Sequence, residues 1–311
     1  MNKSSKIYIA GHTGLIGSAL VRKYTREGYP NILTKTHQEL DLTDNTKVSQ
    51  FFLKEQPAYV ILAAAKVGGI QANIARPAQF LVANILIQNN VILSALAYGV
   101  KKLLFISCGC AYPTQSPQPI KEEYLLSGKL EQTNEGFAIA KIAGMKLCEK
   151  INLEYKKEFI TCIAANTYGE HDHFDEERSH VISALIKKFH HAKVNNLPQV
   201  SIWGTGNAQR EFIYVDDLAE GLHLLMEEYS NSEPINIGSG QEFTIKELSD
   251  IIQNVAGYKG SISFDSTKPD GMKRRIFDSR RIMDLGFKPN ITLESGIERA
   301  YQYYLKMKIS P

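Results

Sequence analysis

The run Lys6-Ile7-Tyr8-Ile9-Ala10-Gly11-His12-Thr13-Gly14-Leu15-Ile16-Gly17 decides the fold. Residues 6–10 are β-rich and end at a glycine. Leu15, Ile16, Ala19, Leu20 and Tyr24 then recur at helical spacing, and Gly28 supplies a C-terminal stop. Glycines at such a junction permit a tight turn, let backbone approach a pyrophosphate, and allow close helix–strand packing. The helix N-terminus adds amide donors and positive potential. The unit predicts a dinucleotide phosphate site rather than a plain connection.

Outward from this turn, strand and helix alternate. Ile32-Leu33-Thr34 reads as a second strand, and Asp44 and Asn45 can cap a helix through Phe51, Phe52 and Leu53. Residues 59–65 form a continuous apolar strand, as parallel strands covered on both faces require. A helix over 77–98, a strand over 103–106, a helix over 137–155 and a strand over 159–165 follow. This order predicts an α/β, Rossmann-like doubly wound parallel sheet. After Asn166 the pattern loosens into a polar loop over 171–178, then helices near 179–193, 216–228, 244–256 and 293–305 with short strands such as 200–203. The expected division is a dinucleotide-binding domain over 1–165. A smaller α/β substrate lobe covers 166–311, with some segments returning to the first domain.

Composition narrows the class. The chain has 311 residues, 43% apolar and 22% charged, as a globular protein does. A net charge of +3 is too small for a nucleic-acid footprint and suits an anionic small molecule. Cys108, Cys110, Cys148 and Cys162 lack the spacing of a disulfide framework or zinc ribbon, which predicts reduced thiols in a cytoplasm. The N-terminus lacks the apolar core of a signal peptide, and no apolar run reads as membrane-spanning. His171, Asp172, His173, Asp175 and Glu176 imitate a metal site, but a loop shaping a pocket is the better reading, and no metal is expected.

The spacing G-x-x-G-x-x-G resembles that of extended short-chain dehydrogenase/reductases. Further stretches narrow the resemblance: Ala63-Ala64-Ala65-Lys66-Val67-Gly68-Gly69-Ile70, Cys110-Ala111-Tyr112-Pro113, Ala138-Ile139-Ala140-Lys141-Ile142-Ala143-Gly144, Asn166-Thr167-Tyr168-Gly169, Ser179-His180-Val181-Ile182, Trp203-Gly204-Thr205-Gly206 and Arg210-Glu211-Phe212-Ile213-Tyr214-Val215-Asp216-Asp217. Together they resemble the GDP-L-fucose synthase family, over almost the whole chain. That resemblance implies NADPH-dependent reduction of the C4 ketone of a GDP-4-keto sugar, a 6-deoxyhexose or a heptose, coupled to C3/C5 epimerisation. It also implies cofactor contacts at Gly11, Thr13, Gly14, Leu15, Ile16, Gly17, His37, Asp41, Leu42, Ala64, Lys141, Asn166 and His180. After the second strand no acidic residue stands ready for a ribose 2′-hydroxyl, whereas Lys35 and His37 can meet a 2′-phosphate. The reading leans to NADP(H), with NAD(H) open, because Thr13 and His37 replace basic residues of the family.

The family's Ser-Tyr-Lys triad is altered at two places. Lys141 matches the lysine, but Phe137, four residues earlier on the same helix face, occupies the tyrosine position. Cys108 falls on the serine, with Ser107 beside it. The epimerisation pair of a thiol base and an imidazole acid is matched by Cys110 and His180. Three accounts of Phe137 stay open: a change made to trap a ligand, a variant using Cys110, His180, Tyr112, Tyr168 or water as donor, or a chain that binds without turnover. Epimerisation alone is a further alternative. For the nucleotide sugar, the resemblance implies contacts at Lys188, Trp203, Arg210 and Asp278, near the basic run Lys273-Arg274-Arg275. A homodimer is expected through a four-helix bundle of the 77–98 and 137–155 helices, although Phe80, Ile85, Ile87, Val91 and Leu93 could instead all face the sheet.

Overall fold

The computed structural model describes residues 1–175, 179–268 and 270–309. Its first half runs β1 (Ile7–Ala10), α1 (Leu15–Arg26), β2 (Ile32–Leu33), α2 (Asn45–Glu55), β3 (Tyr59–Leu62), α3 (Ile70–Ala75), α4 (Pro77–Ala97), β4 (Lys102–Cys108), α5 (Glu135–Tyr155) and β5 (Glu158–Ala164). The second half adds β6 (Asn166–Tyr168), α6 (Val181–Val194), β7 (Gln199–Trp203), β8 (Gln209–Tyr214), α7 (Val215–Glu228), β9 (Ile235–Ile237), β10 (Glu242–Thr244), α8 (Ile245–Ala256), β11 (Ser261–Asp265), β12 (Arg274–Arg275), α9 (Arg280–Asp284) and α10 (Leu293–Ile309).

Six parallel strands form the main sheet in the order β2-β1-β3-β4-β5-β9. Ile7, Ile9, Val60, Ile61, Leu104, Phe105 and Phe159 are buried in it, each worth roughly 1.5–3 kcal/mol of apolar transfer. Two helix groups cover the sheet: α1 packs on α7, and α4 packs on α2 and α5. The strand order turns about β1, with β2 on one side and β3 on the other. In such sheets ligands lie beyond the strand C-termini at that switch point. The last strand, β9, comes from residues 235–237, after the chain has already built β6 to α7 outside the sheet. A second sheet centres on β8, which pairs with β6, β10 and β12, while β7 and β11 form a parallel pair.

Two elements depart from the sequence reading. The apolar run over 59–65 leaves the strand at Leu62, because Gly11 backbone passes against Ala64 at the sheet's end. The α4 helix is 21 residues long and holds an 18-residue stretch of mean hydropathy 1.7, long and apolar enough to cross a membrane, contrary to the sequence expectation. It is a core helix here. Asn84 bonds both backbone groups of Lys66, Gln88 donates to the Ala140 carbonyl, and Asn90 to the Leu42 carbonyl. Buried amides satisfied this way tie α4 to its neighbours and would be costly in lipid. The α2 cap is as expected, with the Asp44 carboxylate accepting from the Lys47 amide at 3.1 Å.

Candidate active site

The glycine turn sits at the switch point. Gly11 leaves β1 with φ of +88°, a left-handed conformation. A Cβ there would lie 2.7 Å from Ala64 backbone, and one on Gly17 would lie 2.0 Å from the Gly11 carbonyl oxygen. The turn is therefore a backbone-walled cradle at the N-terminus of α1, with Gly14 as the N-cap. No side chain caps that helix, so its first amides remain available to an anion. Thr13 is exposed at the tip, and Leu15 and Ile16 lean on the core. This backbone fits a dinucleotide pyrophosphate.

After β2, the Lys35 ammonium pairs with Glu39 at 3.3 Å, and His37 projects into solvent 3.8 Å from Asp41. The Thr43 amide and hydroxyl hold the Asp41 carboxyl below its ordinary range. Leu42 is buried behind it. Of these groups, His37 is the most exposed.

The reactive groups gather at the C-terminal end of β4. Cys108 is half-buried and Cys110, in a short 3-10 turn over Gly109–Ala111, is buried, with their sulfurs 3.0 Å apart. Lys141 reaches in from α5. Its ammonium donates to the Ile106 carbonyl at 2.9 Å and lies 4.8 Å from the Phe105 ring centre and 5.7 Å from that of Phe137. Phe137 and Lys141 thus share a helix face, as their spacing predicts. Burial lowers the Lys141 pKa, while the neighbouring thiols raise it. The hydrogen bond with Cys110 and then the Lys141 charge bring Cys108 down to about 6 against the opposing effect of burial. The same bond, then burial, pushes Cys110 up. Ser107 faces the other way along the strand, is buried, and its hydroxyl has no partner among the described residues.

Other predicted residues scatter more widely. His180 is exposed at the N-cap of α6 and makes no cap bond. The Asn166 amide nitrogen is committed to the Glu211 carbonyl at 3.0 Å, bracing β6 against β8. The Lys188 ammonium donates to the Ser201 carbonyl. Trp203 is 63% exposed at the end of β7, with the Lys268 ammonium 5.8 Å from its ring. Arg210 and Arg275 are register partners on β8 and β12. Burial and then the Arg275 charge pull the Arg210 pKa down to about 10 against the opposing Asp270 charge. Arg274 is instead neutralised by Glu242 at 2.7 Å. The Asp278 carboxylate is gripped by the Arg280 guanidinium (Nε at 2.9 Å). In the loop, His171 stacks on Tyr303 at 5.1 Å and Asp172 accepts from Ser183, while Glu176 lies outside the described residues.

Sequence reasoning missed Glu211 as a structural centre. It is 1% exposed and accepts from the amides of Gly240 (2.7 Å) and Phe277 (2.8 Å), tying β8 to the segment that covers the cysteine turn. Burial raises its pKa to about 7 from an ordinary 4.5. Between those values the folded chain binds the proton that the unfolded chain has lost, so stability falls as pH rises. The loss is roughly 3 kcal/mol across the window. Thermal unfolding midpoints taken across that window should fall in the native protein, with a shallower fall in Glu211→Gln. Parallel slopes would exclude this group as the cause.

Fold and site define a nicotinamide-dependent short-chain dehydrogenase/reductase of the extended type. The sequence pattern of the NAD dependent epimerase/dehydratase family matches residues 7–238. The chain is 50% identical over 306 residues to the putative GDP-L-fucose synthase 2 of Arabidopsis thaliana, covering 98% of this chain and 93% of the relative. It is 44% identical to the GDP-L-fucose synthase of Escherichia coli K12, covering 97% of each. A GDP-mannoheptose C4 reductase from Campylobacter jejuni, solved with NADP bound, superposes with a TM-score of 0.89 at 38% identity, covering 98% of this chain and 99% of that one. The chain therefore belongs to the NAD dependent epimerase/dehydratase family, and within it to the GDP-L-fucose synthase family.

Proposed function

We propose that this chain reduces the C4 ketone of a GDP-4-keto sugar with NADPH and epimerises the sugar at C3 and C5. The observation that carries the reading is the buried Lys141 ammonium beside the Cys108–Cys110 pair, at the mouth of the glycine cradle's sheet. NADPH, when bound, supplies the hydride. The Gly11–Gly17 turn and the α1 amides receive its pyrophosphate, His37 its 2′-phosphate, and Asp41, Leu42 and Ala64 the adenosine side. Lys141 holds the nicotinamide ribose. Arg210 and Arg275 receive the GDP diphosphate, with Lys188 and Trp203 bordering the same groove. Cys110, once its own proton has passed to Cys108, takes the proton α to the ketone, whose enolate spreads charge onto oxygen, and the exposed His180 imidazole returns one from the other face.

Purified protein mixed with NADPH and GDP-4-keto-6-deoxymannose, or the corresponding GDP-4-keto heptose, should consume the reduced-nicotinamide absorbance. In deuterated water the product should carry label at C3 and C5. No consumption with either sugar would reject the reading. We place the protein in the cytoplasm, in keeping with four free thiols. A second copy is placed on α4 and α5, where Val82, Leu86, Leu93, Ile139 and Leu153 are exposed while Phe80 and Val91 face the core.

A further inference from the structure

We infer that Cys108 hands the proton to the sugar's C4 oxygen during reduction, with Cys110 as the sulfur that resupplies it. The inference rests on the reductase reading above. Phe137 leaves that oxygen without a phenol, and the neighbouring hydroxyls do not replace it. Tyr112 is buried and donates to the Asn236 side chain at 2.7 Å. Tyr168 is buried and donates to the Leu293 carbonyl at 3.3 Å. Ser107 is buried on the opposite face of β4 from Cys108.

Cys108 alone in this set meets three conditions. It ends β4 at the C-terminal edge of the sheet, where ligands of this architecture lie. It is only half-buried, whereas Cys110 and Ser107 are buried. It also has a proton source in contact, the Cys110 sulfur at 3.0 Å. The charged groups acting on the pair are Lys141 from α5 and Arg275 from β12; on β5, Cys162 faces the same lysine. Both cations favour a shared single proton over two thiols, much as a lysine prepares a phenol. Hydride adds to the carbonyl carbon, and the C=O π pair moves onto oxygen. The shared proton moves from Cys110 to Cys108 and on to that oxygen, each S–H pair staying on its own sulfur, and solvent returns one proton to the pair.

Single-turnover NADPH oxidation should fall about 10²–10³-fold in Cys108→Ala, with substrate affinity changed only a few-fold. Adding Phe137→Tyr to that variant should recover at least about tenfold, because a phenol then stands beside Lys141. A second readout needs neither cofactor nor sugar: alkylation of Cys108 by iodoacetamide, followed by mass spectrometry. Its rate should rise with a midpoint near 6. A Cys108→Ala rate within about threefold of the native protein, or alkylation appearing only above about pH 8, overturns the inference. If the native protein oxidises no NADPH with either sugar, the reductase reading falls, and the inference with it; a low alkylation midpoint would then describe the thiol alone.

Discussion

Lys141→Met is expected to lower the reduction rate about 10²–10⁴-fold while leaving the protein as stable as before, or more so. The ammonium is buried on α5 with a backbone carbonyl, two aromatic rings and three thiols around it, and its burial is unfavourable to the charge. Methionine matches the stem's length and suits the Phe105 and Phe137 rings. A group that weakens the fold and is nonetheless present points to chemistry rather than packing. The same change should raise the pH at which Cys108 becomes reactive, since Lys141 is the leading positive charge acting on it. Rates of NADPH oxidation and thermal midpoints, measured together, decide the matter. A large loss of stability, or a rate within about tenfold of the native protein, would show that Lys141 serves the fold instead.

Gly17→Ala should abolish cofactor binding. Its Cβ would stand 2.0 Å from the Gly11 carbonyl oxygen and 2.7 Å from the His12 Cα. Both are backbone atoms, so no rotamer relieves the clash, and the turn has to open. Gly11 cannot move aside, because it is itself pressed against Ala64. NADPH affinity, followed by nicotinamide fluorescence, should weaken by at least about 100-fold, close to 3 kcal/mol. Gly28→Ala is the comparison: that glycine has a positive φ, which Gly17 does not, but nothing lies near it and it is remote from the turn. If both variants bind NADPH like the native protein, the cradle is not the phosphate site.

Much of this was legible from residue order. Glycine spacing located the cradle, and continuous apolar runs located β3, β4 and β5, because strands buried on both faces must be apolar throughout. The Phe137–Lys141 pair was legible because helix geometry is local. Four things were not. The sixth strand, β9, is a three-residue run with no periodicity of its own, and only pairing with β5 makes it a strand. Glu211 reads as one charge in a polar motif, and its burial depends on two amides far along the chain. The ion pair that Asp278 makes with Arg280, two residues on, has no signature in the sequence. The polar residues within α4 hide a core helix in a segment whose mean hydropathy alone suits a bilayer.

The return of β9 to the sheet has a bearing on biogenesis. As the ribosome extrudes the polypeptide, β5 emerges with one edge uncovered, and its covering strand arrives only with residues 235–237. Until then the nascent chain carries an open row of amides and carbonyls, the kind of edge that recruits stray strands. Lys102 adds a second tether across the same interval, since its ammonium donates to the Met226 carbonyl. Completion of the main sheet thus waits on residues 235–237.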